Sequence, residues 1–172
     1  MRKAHIVVVL LAIVMLTLGA CESAPIPAPA PAPAPAPTPT PTPAPESYPM
    51  LKVDSYPPSS AERAFAGYLT AWKNKDWNGM AEFTQMTWRS ENENPAQMLE
   101  NAYGFKDLLG AEIIKKSEVS DVMVDITATI YYRIAKVEKK SITARVIRET
   151  APNKPDPEGK WGVNPISTLR EE

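Results

Sequence analysis

The sequence predicts an α+β domain in which N-terminal helices pack on one face of a curved antiparallel sheet. Apolar residues recur at helical spacing between residues 61 and 103, and apolar and polar residues alternate between residues 122 and 134. A leader-like segment and a Pro-rich segment precede this region. We therefore expect residues 1–20 to be a secretory leader, residues 21–58 to contain the linker, and residues 59–172 to form the domain.

Two helices are predicted between residues 59 and 83. Ser59 followed by Glu62 is a capping-box pattern, and the apolar residues after it would form one helical face. These residues are Ala61, Ala64, Phe65, Tyr68, Leu69 and Trp72. Residues 73–75, Lys-Asn-Lys, would end this helix, and Asp76 is placed as the N-cap of a second one. The apolar residues of the second helix are Trp77, Met80, Ala81 and Phe83.

A third helix is predicted to begin at Asn94, a capping residue followed by proline at the first helical position, and to end at Gly104. The residues expected on its buried face are Met98, Leu99, Ala102 and Tyr103.

Downstream, the period of the pattern becomes two, which predicts a meander of strands. The longest strand would run from Val122 to Ile134, with its even-numbered apolar residues on the core side. The other expected elements are a strand across Ala111–Lys116, turns at Val119–Asp121 and Val137–Lys140, a strand from Ile142 to Glu149, a polar loop from Pro152 to Gly159, and a last strand from Lys160 to Val163 with Trp161 facing the core.

The composition argues against several classes of function. The formal charge is −1, and loss of Arg2 and Lys3 with the leader would leave 17 basic against 20 acidic residues. We therefore expect no nucleic-acid partner. The single histidine, His5, and the single cysteine, Cys21, both lie near the N-terminus, so the domain would lack the commonest general base and thiol nucleophile. No metal site, cofactor or catalytic residue is predicted.

The N-terminus has the three parts of a secretory signal peptide: Arg2 and Lys3, an apolar run from Ile6, and small residues before Cys21. Leu18, Gly19, Ala20 and Cys21 resemble the bacterial lipobox. The resemblance implies that Cys21 carries a diacylglyceryl group and that a signal peptidase cleaves before it. The expected location is the extracytoplasmic face of the cell membrane, with sorting to an outer membrane left open. An uncleaved anchor is the alternative, although about 15 apolar residues are short for a span of roughly 20.

Between Ala24 and Pro45 the chain is almost a repeat of X-Pro dipeptides. Proline fixes its own φ and biases the preceding residue toward extended conformations, so we expect a polyproline II spacer without a packed core. Such a segment reaches on the order of 70 Å. A role as a ligand for aromatic grooves and O-glycosylation of the Thr-Pro run are the alternatives.

The order of elements resembles the NTF2-like (SnoaL-like, cystatin-like) superfamily. Four features carry the resemblance: Ala64-Phe65, the stretch from Trp72 to Trp77 leading to Met80, the long strand, and the closing Lys160-Trp161-Gly162-Val163. It covers residues 60–166 and implies a cone with a pocket between the helices and a concave sheet. Within the superfamily the chain is most similar to small bacterial lipoproteins. Enzymatic relatives place an Asp-His or Asp-Tyr pair in the pocket; here Asp76 is better explained as a helix cap.

The aromatic residues proposed to line a pocket or an interface are Tyr68, Trp72, Trp77, Tyr103, Tyr131, Tyr132 and Trp161. Core packing is the competing interpretation for most of them, because a buried tyrosine usually only satisfies its hydroxyl nearby. The outer sheet face, with Met123, Asp125, Thr127, Thr129, Tyr131 and Arg133, is a candidate surface for a homodimer.

We therefore expect a membrane-anchored, non-catalytic module that binds a small apolar ligand or an envelope protein. The alternatives are a His-independent enzyme that uses Asp and Tyr, and a purely structural accessory domain.

Overall fold

The structure, a computed structural model, describes residues 46–168 and their side chains as far as residue 166. The chain divides into two units, and these residues belong to the second, Ala44–Glu172. The predicted signal peptide, the lipobox with Cys21 and most of the predicted linker lie outside the described residues. Within residues 46–168, no helix combines the length and the apolar character that a bilayer crossing requires.

The fold is α+β, with helices preceding an open antiparallel sheet. A 3-10 helix at Val53–Ser55 is followed by α1 (Ala61–Lys73), α2 (Trp77–Glu82), α3 (Met86–Ser90), α4 (Pro95–Tyr103), β1 (Asp107–Ser120), β2 (Met123–Arg133), β3 (Val137–Ala151), β4 (Lys154–Pro155), β5 (Lys160–Val163) and α5 (Pro165–Thr168). The strand order is β1-β2-β3-β4, and β5 also pairs with β3. The core lies between α1 and one face of this sheet.

Helix α1 forms because its apolar residues recur every three or four positions, and they are buried as predicted. The cap differs from the prediction by one residue. The Ser60 hydroxyl, not that of Ser59, accepts a hydrogen bond from the Arg63 N–H at 3.2 Å. The helix therefore begins one residue later than the capping-box pattern with Ser59 suggests.

The predicted caps of α2 and α4 are confirmed. Asp76 accepts from the Gly79 N–H at 2.9 Å, and Asn94 accepts from the Gln97 N–H at 3.1 Å. The burial of Met98 was predicted wrongly, because this side chain is 46% exposed and only Leu99 and Tyr103 are buried in α4.

Helix α3 was not predicted. It is five residues long, and its N-cap residue, Gln85, makes no side-chain capping hydrogen bond, so the sequence carries no start signal for it.

Strand β2 has the predicted alternation, with Val124, Ile126, Ala128, Ile130 and Tyr132 buried. Ile134, predicted to continue this face, lies past the end of the strand and is 51% exposed.

The predicted turn at Val137–Lys140 was wrong, because these residues pair with Arg133 to Ile130 and belong to β3. Strand β1 is also longer than the predicted Ala111–Lys116, and β4 lies inside the predicted polar loop. In each case the segment is polar, as is typical of a turn or a loop, but its backbone pairs with a neighbouring strand and it therefore belongs to the sheet.

The residues just before position 59 pack on the domain. Met50 and Leu51 contact the core, and the Pro49 carbonyl accepts from the Ala111 N–H at 2.7 Å. The segment thereby covers part of the free edge of β1, a site at which unpaired backbone groups would otherwise be exposed.

Candidate functional site

The interior between helices and sheet is filled by the aromatic residues that were candidates for a pocket. Tyr68, Trp72, Tyr103 and Tyr132 are at most 6% exposed. The Tyr68 hydroxyl donates to the Tyr103 hydroxyl at 3.1 Å, and the Trp72 Nε1–H donates to the Lys106 carbonyl at 3.2 Å. These four side chains are part of the hydrophobic core, so a ligand at this position would have to displace it.

The other three candidate aromatic residues are only partly buried, and the structure does not bring them together with the first four in one pocket. Lys75 lies 5.7 Å above the Trp77 ring. Tyr131 lies on the outer sheet face, where the ring of Tyr48 packs against it at a centroid distance of 5.2 Å. Trp161 packs against the edge of the core and lines a surface cleft.

The outer sheet face is a polar surface. Arg145 makes two hydrogen bonds to the Asp125 carboxylate, at 2.9 and 3.0 Å, and holds the pKa of Asp125 below its ordinary range. Beside them, the hydroxyls of Thr127 and Thr143 lie 3.1 Å apart. The homodimer through this face stays a prediction.

The cleft beside Trp161 has a volume of about 420 Å³. It opens where the N-terminus of α1, the α2–α3 connection and the start of β5 meet. Its apolar surface comes from Phe83, Met86 and Trp161, and its charged side chains are Arg63, Glu82, Arg89 and Lys160. A volume of this size is within the range of small-molecule sites.

The two arginines of the cleft are held in place by other groups. Arg63 pairs with Asp54 at 2.9 Å and donates to the Tyr56 carbonyl at 3.0 Å. Arg89 pairs with Glu82 at 3.0 Å and donates to two backbone carbonyls of α2. Lys160, in contrast, is exposed at the rim. The cleft therefore presents fixed guanidinium groups and one exposed ammonium group around an apolar floor.

Trp161 is fixed on two sides. Its Nε1–H donates to the Ser59 carbonyl at 3.0 Å, which ties β5 to the residue before the α1 cap. The Arg148 guanidinium lies 5.6 Å from the ring centroid, in the range of a cation–π interaction, and donates to the Gly159 carbonyl at 3.0 Å. The ring is thus held in one orientation at the cleft wall.

A buried carboxylate fixes the helix behind the cleft. Glu149 is 1% exposed and accepts hydrogen bonds from Gln85 Nε2 at 2.8 Å, the Thr87 N–H at 2.9 Å and the Thr87 hydroxyl. The loop before β5 passes so close to β3 that a Cβ at Gly159 would lie 2.3 Å from the Glu149 backbone. These contacts hold α3 and β5, two walls of the cleft, on β3.

The carboxylates of Glu149, behind the cleft, and Glu82, on its lining, already have partners. The carboxylate of Glu149 is occupied by three donors, and that of Glu82 by Arg89. Among the described residues, no group of acidic, histidine or cysteine side chains is placed to hold a metal ion. The cleft can accept a ligand that combines a flat or apolar part with an acidic group.

Sequence reasoning identified Trp161 but missed the rest of the cleft. Arg63 and Arg89 are 26 positions apart and belong to no motif, and only the tertiary fold places both of them on the lining of the cleft. The only sequence signal was an arginine or lysine next to an aromatic residue, as in Trp88-Arg89 and Lys160-Trp161, a pattern too common to indicate a site.

Comparisons with known proteins show similarity at the level of the fold. No protein-family model matches the chain, and no curated protein matches it. Among solved structures, it is similar to a SEC-C motif containing protein from Psychrobacter arcticus, with 11% identity and a TM-score of 0.51 over 66% of this chain and 63% of that one. A SEC-C motif containing protein from Rhodopseudomonas palustris has 15% identity and a TM-score of 0.46, over 62% of this chain and 76% of that one. The chain thus spans less than two thirds of the Psychrobacter protein.

The Psychrobacter neighbour contradicts the resemblance to NTF2-like lipoproteins, because the solved structure that this chain resembles is a SEC-C motif containing protein. The residues that suggested the resemblance have a local explanation. Lys75 has a φ of 57° and ends α1, and Asp76 caps α2. A helix, a short polar break and a second helix arise wherever such signals follow one another, so this pattern does not define a family.

Proposed function

We propose that the chain is a lipid-anchored extracytoplasmic protein whose C-terminal domain binds a ligand without chemistry, in the cleft beside Trp161. The lipobox-like residues from Leu18 to Cys21 support the anchor. One observation supports the binding role above the others: the aromatic residues of the interior are core, whereas the cleft of about 420 Å³ opens to the surface.

The ligand class follows from the lining. Phe83, Met86 and Trp161 favour a flat or apolar group. Lys160, which is exposed, favours a negative charge, whereas Arg63 and Arg89 are already paired with Asp54 and Glu82. A small amphiphilic acid from the cell envelope has both features. The predicted enzyme that uses Asp and Tyr is less well supported, because the Tyr68 and Tyr103 hydroxyls bond to each other inside the core.

A purely structural accessory role is the second candidate. The observation that favours it is the filled interior, in which Trp72 is 2% exposed and Met80 fully buried. The two proposals differ in one expectation. If the domain is purely structural, substitutions in the cleft should not change the affinity for an anionic aromatic probe.

The anchor is tested by Cys21→Ala in the full chain. We expect unprocessed precursor and no incorporation of labelled fatty acid, because the thiol is the group that would be acylated. Normal maturation and membrane retention of this variant would disprove the lipid anchor. The result bears only on the anchor, because Cys21 is remote in sequence from the cleft residues.

The cleft is tested with 8-anilino-1-naphthalenesulfonate, a probe that has an aromatic part and a sulfonate. Lys160→Glu reverses the exposed charge at the rim, and we expect it to weaken binding about fivefold, equivalent to about 1 kcal/mol. Lys154→Glu, on β4, is the matched control and should leave the affinity unchanged, because this exposed lysine does not line the cleft. Equal loss in both variants, or binding unaffected by either, would favour the structural role. Circular dichroism of each variant verifies that the fold is intact.

A further inference from the structure

One end of the sheet carries exposed apolar side chains. Phe105, just before β1, is 59% exposed; Ile134 and Val137, at the β2–β3 turn, are 51% and 41% exposed. In the strand register, Asp107 of β1 lies opposite Arg133 of β2, and Arg133 lies opposite Val137 of β3. Phe105, Ile134 and Val137 therefore lie at the same end of the sheet. We refer to residues 105–107 and 133–140 as the tip.

The apolar groups of the tip are presented on a fixed backbone. Lys75, at the end of α1, donates to the Gly104 and Lys106 carbonyls at 3.1 and 2.7 Å and pairs with Asp107 at 3.2 Å. Lys106 lies 5.1 Å from the Phe105 ring and 5.4 Å from the Tyr132 ring. Phe105 is therefore exposed on a segment tied to the domain on both sides.

The tip is basic on a chain that is slightly acidic. Its basic residues are Lys106, Arg133, Lys136, Lys139 and Lys140, against the two acidic residues Asp107 and Glu138. Both acids have partners, since Asp107 pairs with Lys75 and Arg133, and Glu138 accepts from the Tyr132 hydroxyl at 2.8 Å. Over the whole chain, 19 basic residues stand against 20 acidic ones. The positive charge at this end is thus a local feature.

The N-terminal end of the described chain lies beside the tip. Tyr48 packs on Tyr131, and Tyr131 pairs with Lys139 of the tip. The pKa of the Tyr48 hydroxyl is raised, mainly by its hydrogen bond with Glu46. Arg133 lies close enough to Tyr48 to act on the same pKa in the opposite direction. Residues 46–48 therefore lie next to the basic, apolar end of the domain.

We infer that the tip is a membrane-contact site that docks on an anionic phospholipid surface. Apolar side chains enter the boundary between headgroups and acyl chains, and lysines around them contact lipid phosphates; this is the chemistry of interfacial membrane binding. The apolar side chains are those of Phe105, Ile134 and Val137. The contacts to lipid phosphates come from Lys106, Lys136 and Lys139. This surface is separate from the cleft, so the inference goes beyond the proposed ligand binding. If Cys21 also anchors the chain, the anchor raises the effective concentration of lipid at the tip.

The test uses the chain from residue 21 with Cys21→Ser, so that neither the leader nor an acyl chain contributes. Co-sedimentation is measured with vesicles of phosphatidylglycerol and phosphatidylcholine, and with vesicles of phosphatidylcholine alone. We expect binding to the anionic vesicles, weaker binding to the neutral ones, and a fall in binding as salt screens the lysines. The triple variant Phe105→Ser, Ile134→Ser and Val137→Ser should reduce the partition coefficient at least tenfold. The double variant Lys136→Glu and Lys139→Glu should also reduce the partition coefficient at least tenfold, but on anionic vesicles only.

The matched control is Ile114→Ser with Val119→Ser. These β1 side chains are 59% and 53% exposed, as apolar and accessible as those of the tip, and neither belongs to the tip. The inference is supported if the control variant still binds anionic vesicles and the tip variants do not. Equal binding to neutral and anionic vesicles, or an equal loss in the control, overturns it. Because the Cys21→Ser protein used in this test carries no lipid anchor, a failed anchor experiment and a failed tip experiment are distinguishable.

Discussion

The carboxylate of Glu149 accepts a hydrogen bond from the backbone N–H of Thr87 at 2.9 Å, across 62 residues of sequence. Glu149 lies near the end of β3 and is 1% exposed, whereas Thr87 is in the first turn of α3. The same carboxylate accepts from Gln85, and the Thr87 hydroxyl accepts from the Asn153 N–H at 2.7 Å. The buried acid therefore joins α3 to β3, and Thr87 links both to the β3–β4 turn.

Glu149→Ala should lower the free energy of unfolding by about 3 kcal/mol or more, because it leaves buried donors of Gln85 and Thr87 without an acceptor. Thr87→Val removes only the hydroxyl and should cost about 1–2 kcal/mol. Urea denaturation followed by circular dichroism measures both values. Thr150→Ala, at the exposed neighbouring position, is the control and should change stability by less than about 0.5 kcal/mol. A cost at Glu149 no larger than that at Thr150 would contradict this role.

The parts of the fold that the sequence predicted correctly depend on neighbours along the chain. Asp76 and Asn94 cap helices because the groups that they bind are three residues away. The alternation of β2 is likewise local, since every second residue faces the core. These signals were enough for the α+β class and for the positions of α1, α2, α4, β2 and β5.

The candidate site depends on contacts that no local pattern contains. Glu149 ends the predicted strand Ile142–Glu149, and no local pattern indicates that the folded chain buries it against α3. In the same way, Tyr68 and Tyr103 could be placed on apolar faces, but their hydrogen bond joins residues 35 positions apart. The sequence predicts which residue types are available, and the tertiary fold decides which of them meet.

The role of Asp76 as a cap can be separated from a catalytic role by substitution. Asp76→Ala should lower the free energy of unfolding by about 1 kcal/mol, because the Gly79 N–H loses its acceptor. Asp76→Ser keeps an acceptor oxygen at this position and should retain most of the stability. Thermal denaturation of the two variants makes the comparison. Equal losses in both variants would show that the carboxylate does more than cap α2.

The hydrogen bond between Tyr68 and Tyr103 should couple the two residues energetically. Tyr68→Phe removes the donor of a buried hydrogen bond and should cost about 1 kcal/mol, and Tyr103→Phe a similar amount. The double variant should cost less than the sum, by about 0.5–1 kcal/mol, because the second substitution removes a group whose partner is already absent. Strict additivity in denaturant unfolding would show that the two hydroxyls are stabilised independently, by other groups.

Stability should fall in acid, in part because of Asp125. Hydrogen bonds from Arg145, the largest cause, lower its pKa in the folded state below the ordinary value of 3.8. The unfolded chain therefore binds this proton more readily, so the contribution is present above the ordinary pKa and is lost as pH falls through the lower, folded pKa. The pKa of Asp107 is lowered in the same direction, first by its hydrogen bond with Lys75. The wild type should thus lose stability as the pH falls below the ordinary aspartate pKa of 3.8.

Asp125→Asn isolates the first of these two carboxylates. The variant should be less stable than the wild type at neutral pH, and the difference should shrink toward zero as acid protonates the wild-type aspartate. Unfolding free energies from urea titrations at a series of pH values give this difference directly. Asp121→Asn, in the exposed turn after β1, is the control, and its difference from the wild type should stay small throughout. An Asp125→Asn difference that is constant across the acid range would mean that the ion pair with Arg145 does not contribute to the pH dependence.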